Sequence, residues 1–225
     1  MPKLCILRKN RNFLERQKMG KGSNSTTPLS YEQFLYIVDE FEDKKDFRMA
    51  VLCHLMFRCV RISDCLRTIT ISDIFEKDGR LKESFGFYEI KAKRKNSEGV
   101  KKANPIKKRF IKISGERFIS ALQKFWESDL KKRDYNGNLF YSLLLNKPLN
   151  DRGVKKLLAQ FVGRRGIVQC SPHSFRKCGA RYMYLKGTPI EVICSILQHS
   201  SVRITFIYID IIPADELEGM KPLEV

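Results

Sequence analysis

The sequence predicts an α+β domain, mainly helical, with one small antiparallel sheet. Three observations point there. Amphipathic runs with helix-start signals recur along most of residues 28–212, only two β-rich segments stand among them, and those two flank a single polar loop. A chain of 225 residues is long enough to bury one full core, and a hydrophobic content of 43% is ordinary for a globular protein.

Taken in order, residues 1–27 read as a basic N-terminal arm ending in a polar linker, Gly20–Thr27. Ser30 followed by Gln33 is a capping-box sequence that opens a helix to about Glu42, and a second apolar helix runs from about Asp46 to Cys59. A further helical turn follows Arg61-Ile-Ser-Asp64 as far as Leu66 to Thr68. Phe85–Lys93 and Arg109–Ile113 read as the two strands of a hairpin, joined by a loop holding Asn96, Ser97, Gly99 and Pro105. Helices are expected over about 115–132, 151–163 and 173–186. Gly187 stops the last of these, and Thr188-Pro189 starts another to about Leu197, with proline in the first turn. A short helix is expected over Ser201–Tyr208. The stretch from residue 213 to 225 reads as a C-terminal tail, apolar on one side and acidic on the other.

No apolar run approaches the roughly 20 residues that span a bilayer. The N-terminus shows neither the continuous apolar region nor the small-residue site of a secretory signal. Seven cysteines, odd in number and without a Cys-x-x-Cys pair, read as reduced thiols rather than disulfides or zinc ligands. Together these lead to the expectation of a cytoplasmic protein with no membrane partner and no metal.

The formal charge is +18, and its distribution is uneven. Residues 91–112 carry ten Lys/Arg against Glu98, and residues 1–22 carry seven against Glu15. Residues 209–225 reverse the sign, with five acids against Lys221. Concentrated positive segments on a folded body are the electrostatic footprint of a polyanion, most often nucleic acid. Lys95, Lys101, Lys102, Lys107, Lys108 and Arg109 are read as contacts to a DNA backbone, giving affinity without sequence readout.

The last third of the chain carries the chemistry. His173 and Arg176 lie three apart on an expected helix and so share a face; His199 follows 23 residues after Arg176, and Tyr208 nine after that. A phenol, two imidazoles and a guanidinium suit attack on a phosphodiester, where a nucleophile is aimed, the non-bridging oxygens are held by a planar cationic fork, and protons are moved. Taken singly each residue has a plainer reading: Arg61 as a helix cap or partner of Asp64, Tyr208 as a core tyrosine, His54 as a packed core residue in an apolar run.

Four elements in order, Arg61-Ile-Ser-Asp64, His173-Ser-Phe-Arg176, Leu197-Gln-His-Ser-Ser201 and Thr205-Phe-Ile-Tyr208, resemble the tyrosine recombinases of the phage integrase family across roughly residues 28–212. The resemblance implies that fold for the catalytic domain and a site-specific recombinase of the integrase, excisionase or invertase type. In it Tyr208 attacks the phosphate to form a 3′-phosphotyrosyl bond, Arg61 and Arg176 clamp the oxygens, His173 assists proton transfer and His199 hydrogen-bonds the phosphate. A hairpin lysine, Lys93 or alternatively Lys91, protonates the leaving 5′-oxygen, and Asp64 supports the site. No cofactor is implied, because the covalent bond conserves the phosphodiester energy. The implied partners are double-stranded DNA, a homo-tetramer on paired sites whose C-terminal tails dock between subunits, and an accessory DNA-binding factor in some members.

The sequence departs from the family at Gln198, which replaces the glycine before the histidine, and at Cys59-Val60, which replaces the Thr-Gly-Leu-type lead to the first arginine. Most members also carry an N-terminal core-binding domain that 27 residues cannot build. In this the chain resembles short members such as the fimbrial phase-switch invertases; a truncated chain and one that borrows a partner's clamp are the alternatives. The competing functions are a catalytically silent or regulatory DNA-binding protein of the same fold, and type IB topoisomerase-like relaxation.

Overall fold

The computed structural model describes residues 28–89, 108–142, 147–163 and 171–211. Lys91, Lys93, Lys95, Lys101, Lys102 and Lys107, the N-terminal arm and the tail from residue 212 lie outside them.

The architecture is the expected one, helices around a small antiparallel sheet. Helix α1 (Tyr31–Asp43) begins at Ser30, whose hydroxyl accepts from the Gln33 amide while the Gln33 side chain accepts from the Ser30 amide. Helix α2 (Phe47–Phe57) is buried on every side from Met49 to Met56. A helix apolar all round belongs at the centre of a fold. Here α2 packs against α1, against α5 (Glu116–Ser128) and against α7 (Pro172–Leu185). Helix α3 (Ile62–Arg67) follows directly, and a one-turn helix α4 (Ile71–Ile74), opened by a Thr70/Asp73 capping box, was not anticipated.

Strands β1 (Ser84–Tyr88) and β2 (Lys108–Lys112) pair antiparallel, Ser84 opposite Lys112 and Tyr88 opposite Lys108. Phe85, Phe87 and Ile111 enter the core from one face of this ladder. Beyond α5, a short 3₁₀ turn leads to a second, two-residue ladder, β3 (Tyr141–Ser142) with β4 (Lys147–Pro148), too short to leave a periodic signal in sequence. Helix α6 (Asp151–Gly163) follows, with the Asn150 side chain accepting from the Gly153 amide.

Helix α7 starts on a Ser171/Ser174 capping box with Pro172 inside its first turn, and Gly187 ends it at φ 86°. Proline 189 differs from expectation. It is the N-cap of α8 (Ile190–Leu197), with extended ψ 139°, and its carbonyl accepts from the amides of Val192 and Ile193. Helices α8 and α9 (Val202–Ile209) meet at 86°. They fold back over α7 through a second small core of Cys59, Ala180, Ile193, Leu197 and Ile209. No single helix among the described residues is long and apolar enough to cross a membrane.

Candidate active site

The site lies where three junctions meet: the α2–α3 turn, the first half of α7, and the α8–α9 corner. Arg61 is the N-cap of α3, extended at φ −73°, ψ 145°, and its backbone carbonyl receives the amides of Asp64 and Cys65. Its side chain is half-buried. Asp64 itself is fully buried beneath the turn. Arg176 is 5% exposed and donates to the Cys59 carbonyl, which ties α7 to the end of α2.

The chain reaches that carbonyl by an unusual route. Cys59 has φ 63°, a left-handed conformation that costs an L-residue roughly 1–2 kcal/mol. A second arginine, Arg109 on β2, also donates to the Cys59 carbonyl, at 3.3 Å, and pairs at 2.8 Å with buried Glu89. This corrects the expectation of Arg109 as a DNA-backbone contact. Strand alternation points Lys108, Phe110 and Lys112 outward and turns Arg109 in, where only 11% of its side chain is exposed. Arg109 braces the turn that carries the arginine cluster.

Gln198, at φ 58°, turns the chain sharply after α8 and delivers His199. The His199 Nδ1 lies 3.0 Å from Oγ1 of the buried Thr205, and its ring meets the Tyr208 ring edge-on, with centroids 4.9 Å apart. The Tyr208 hydroxyl is buried and has no aligned hydrogen-bond partner among the described residues. Burial raises its pKa; the neighbouring Arg176 guanidinium, and Arg61 more weakly, oppose that rise. His173 opens to solvent one turn before Arg176. Desolvation, then the positive charges of Arg176, Lys155, Lys177 and Arg61, lower its pKa. Desolvation with Arg176 and Arg61 does the same to His199. Both shifts favour the neutral imidazole. One field, set by two arginines, acts on all three remaining groups: the structure brings together the five residues Arg61, His173, Arg176, His199 and Tyr208.

Two participants were missed in sequence. Lys177 is 6% exposed, and its Nζ stands 5.4 Å from the Tyr208 ring centroid; desolvation lowers its pKa, with Asp210 opposing. Thr205 sets the orientation of His199. Thr205 sits inside a motif stretch and Lys177 directly after one, but only the crossing of α7 with α9 says which way they face. His54, by contrast, is packed as expected, edge-on to Phe34 at 5.4 Å. The described cysteines are all free.

Comparison with known proteins now bears on this geometry. The family model described as "Phage integrase family" matches residues 24–214. The chain belongs to the phage integrase family. A protein named "Tyrosine recombinase" from Agathobacter rectalis is 26% identical over 194 residues, covering 81% of this chain and 57% of that protein. Among solved folds, the crystal structure of XerA recombinase superimposes with a TM-score of 0.63 at 20% identity, over 90% of this chain and 65% of that one. The Tn1549 transposon integrase in complex with transposon right end DNA gives 0.61 at 13% identity, over 94% and 74%. XerH bound to difH substrate gives 0.57 at 17% identity, over 85% and 52%. This integrase-family chain thus spans little more than half the length of its curated relative and about two thirds of XerA.

Proposed function

We propose that the chain is the catalytic domain of a site-specific tyrosine recombinase, with Tyr208 as nucleophile and double-stranded DNA as substrate. The observation that carries this reading is the buried Tyr208 hydroxyl held beside the Arg176 guanidinium, with Arg61 and the His199 ring at the same place. Residues 28–212 form the catalytic domain, residues 1–27 a DNA-binding arm, and 213–225 a tail.

In this reading Arg61 and Arg176 receive the two non-bridging oxygens of the scissile phosphate, where charge builds up in the transition state. The Tyr208 oxygen bonds to phosphorus as the bond to the 5′-oxygen breaks. Neutral His173 accepts the phenolic proton, and Lys93, or Lys91, gives a proton to the leaving 5′-oxygen. The Thr205 hydroxyl holds His199 at Nδ1, leaving Nε2 to hydrogen-bond a phosphate oxygen. One phosphoester is made for each one broken, so a 5′-hydroxyl from a second strand reverses the step. Exchange between two sites needs four active subunits; a homo-tetramer joined by tail docking, with or without an accessory DNA-binding factor, supplies them.

Covalent capture tests the reading. The protein and its Tyr208→Phe variant are expressed in the source cell, and protein-linked DNA is recovered after denaturation and sequenced. The expected result is an adduct at one recurrent sequence, lost by at least 100-fold in Tyr208→Phe while DNA binding persists. Adducts scattered along the genome would indicate supercoil relaxation instead, and binding without any adduct a silent DNA-binding protein.

A further inference from the structure

The outward face of the β1–β2 ladder carries more aromatic surface than a solvated hairpin requires. Across it stand, in register, Tyr88 opposite Lys108, Gly86 opposite Phe110, and Ser84 opposite Lys112. Tyr88 is 54% exposed and Phe110 68%. Between them Lys108 places its Nζ 5.7 Å from the Tyr88 centroid and 5.4 Å from that of Phe110. Gly86 makes this arrangement possible. A Cβ there would lie 2.8 Å from Lys108 Cε and 2.9 Å from Phe110 Cε1, so the ring and the lysine stem rest on bare backbone. Covering a strand glycine accounts for one face of the Phe110 ring. The other face is left in water, where it contributes nothing to the fold.

The position of this surface gives it a purpose. The opposite face of the same ladder sends Arg109 to the Cys59 carbonyl, which also receives Arg176. The aromatic stripe is therefore one strand's thickness from the arginine cluster. Strand β1 runs directly into residues 90–107, which carry seven Lys/Arg against one acid and include both lysines assigned above to the leaving 5′-oxygen. The strand that leaves with its 5′-hydroxyl thus departs beside this hairpin. To reach a second site it must unpair, which exposes base faces to water.

We propose that Tyr88 and Phe110 form a stacking platform for unpaired nucleotides of the released strand, with Lys108 and Lys112 on its phosphates. Aromatic rings accept any base by its π face, and flanking cations supply a salt-dependent, sequence-tolerant grip. The composition favours nucleic acid over a protein surface. The six outward positions hold two lysines and no acid, and lysine is depleted from protein interfaces. The inference deepens the recombinase reading and rests on it.

The test measures binding of the full chain to labelled single-stranded oligo(dT) of about 15 nucleotides and to a duplex of unrelated sequence. Phe110→Leu keeps Gly86 covered but removes the π face, and Tyr88→Ser removes a ring that covers no glycine. Each lost base stack weakens oligo(dT) binding roughly 5- to 150-fold. The double variant is expected to lose at least the lower end of that range, with duplex affinity and thermal midpoint unchanged. Tyr208 adducts still form, and joining to a second DNA end slows. Equal losses on oligo(dT) and duplex would overturn the platform in favour of a general duplex contact. Unchanged DNA binding with an altered oligomeric state would overturn it in favour of a protein-docking face. Should Phe110→Leu disturb the hairpin, Tyr88→Ser alone decides. Absence of any Tyr208 adduct from the unmutated protein refutes the recombinase reading separately, whatever the oligo(dT) comparison gives.

Discussion

Cys59 and Gln198, both at departures from the motifs of the integrase family, adopt left-handed backbone, φ 63° and φ 58°. Glycine is the residue best suited to such a turn. The reason the turn must be kept is visible at both places: the Cys59 carbonyl receives Arg176 and Arg109, and the Gln198 turn aims His199 at Tyr208. Ionisation at one core residue yields a prediction. Burial first, then Arg58 and Arg117, lowers the His54 pKa from 6.5 to about 3. The folded state therefore prefers neutral His54, while the unfolded chain binds the proton as soon as the pH falls below about 6.5. Stability from this group is complete above that value and is lost as pH falls towards 3, by about 2 kcal/mol at pH 5. Denaturant titrations at pH 7.5 and pH 5 check this, and His54→Leu flattens the difference between them.

Among the elements, the crossing of α7 over α2 decides whether the site exists. Gly179 lies at that crossing, and a Cβ there would lie 1.6 Å from the Phe57 carbonyl oxygen. That atom is backbone in a helix and cannot move aside. Gly179→Ala is therefore expected to cost about 3 kcal/mol and to lift Arg176 and Lys177 away from Cys59 and Tyr208. Chemical denaturation reads the first effect, and adduct yield at a temperature where the variant remains folded reads the second. A mid-helix glycine is legible in sequence as a sign of close approach; its partner is not. The hairpin teaches the same lesson. Its two strands were readable from β-rich composition, but Lys107-Lys108-Arg109 looked like one basic run. Only the register separates outward Lys108 from inward Arg109.

For the whole molecule the governing quantity is charge, +18 in total with the N-terminal 22 residues supplying seven cations against one acid. Each phosphate neutralised on B-DNA steepens the dependence of log K on log salt by about 0.9. Deleting residues 1–22 is expected to make that slope shallower by several units and to weaken duplex binding more than tenfold at low salt. Affinity measured across a salt series checks it, and an unchanged slope would remove the arm from the interface.

What the sequence by itself determined is local. The capping box at Ser30, the helix stop at Gly187, the apolar stripe of α1 and the largely apolar run of α2 are written within a few residues of where they act, because backbone hydrogen bonds and side-chain periodicity are short-range. The five residues Arg61, His173, Arg176, His199 and Tyr208 were legible through motifs that resemble those of the phage integrase family. What only the tertiary structure decided is which distant groups face one another. Arg109 and Arg176 share one carbonyl across separations of 50 and 117 residues, Lys177 lies over the ring of Tyr208, and Phe110 covers Gly86. Such contacts depend on helix crossing and strand register, which are set by packing of the whole core rather than by any neighbouring residue.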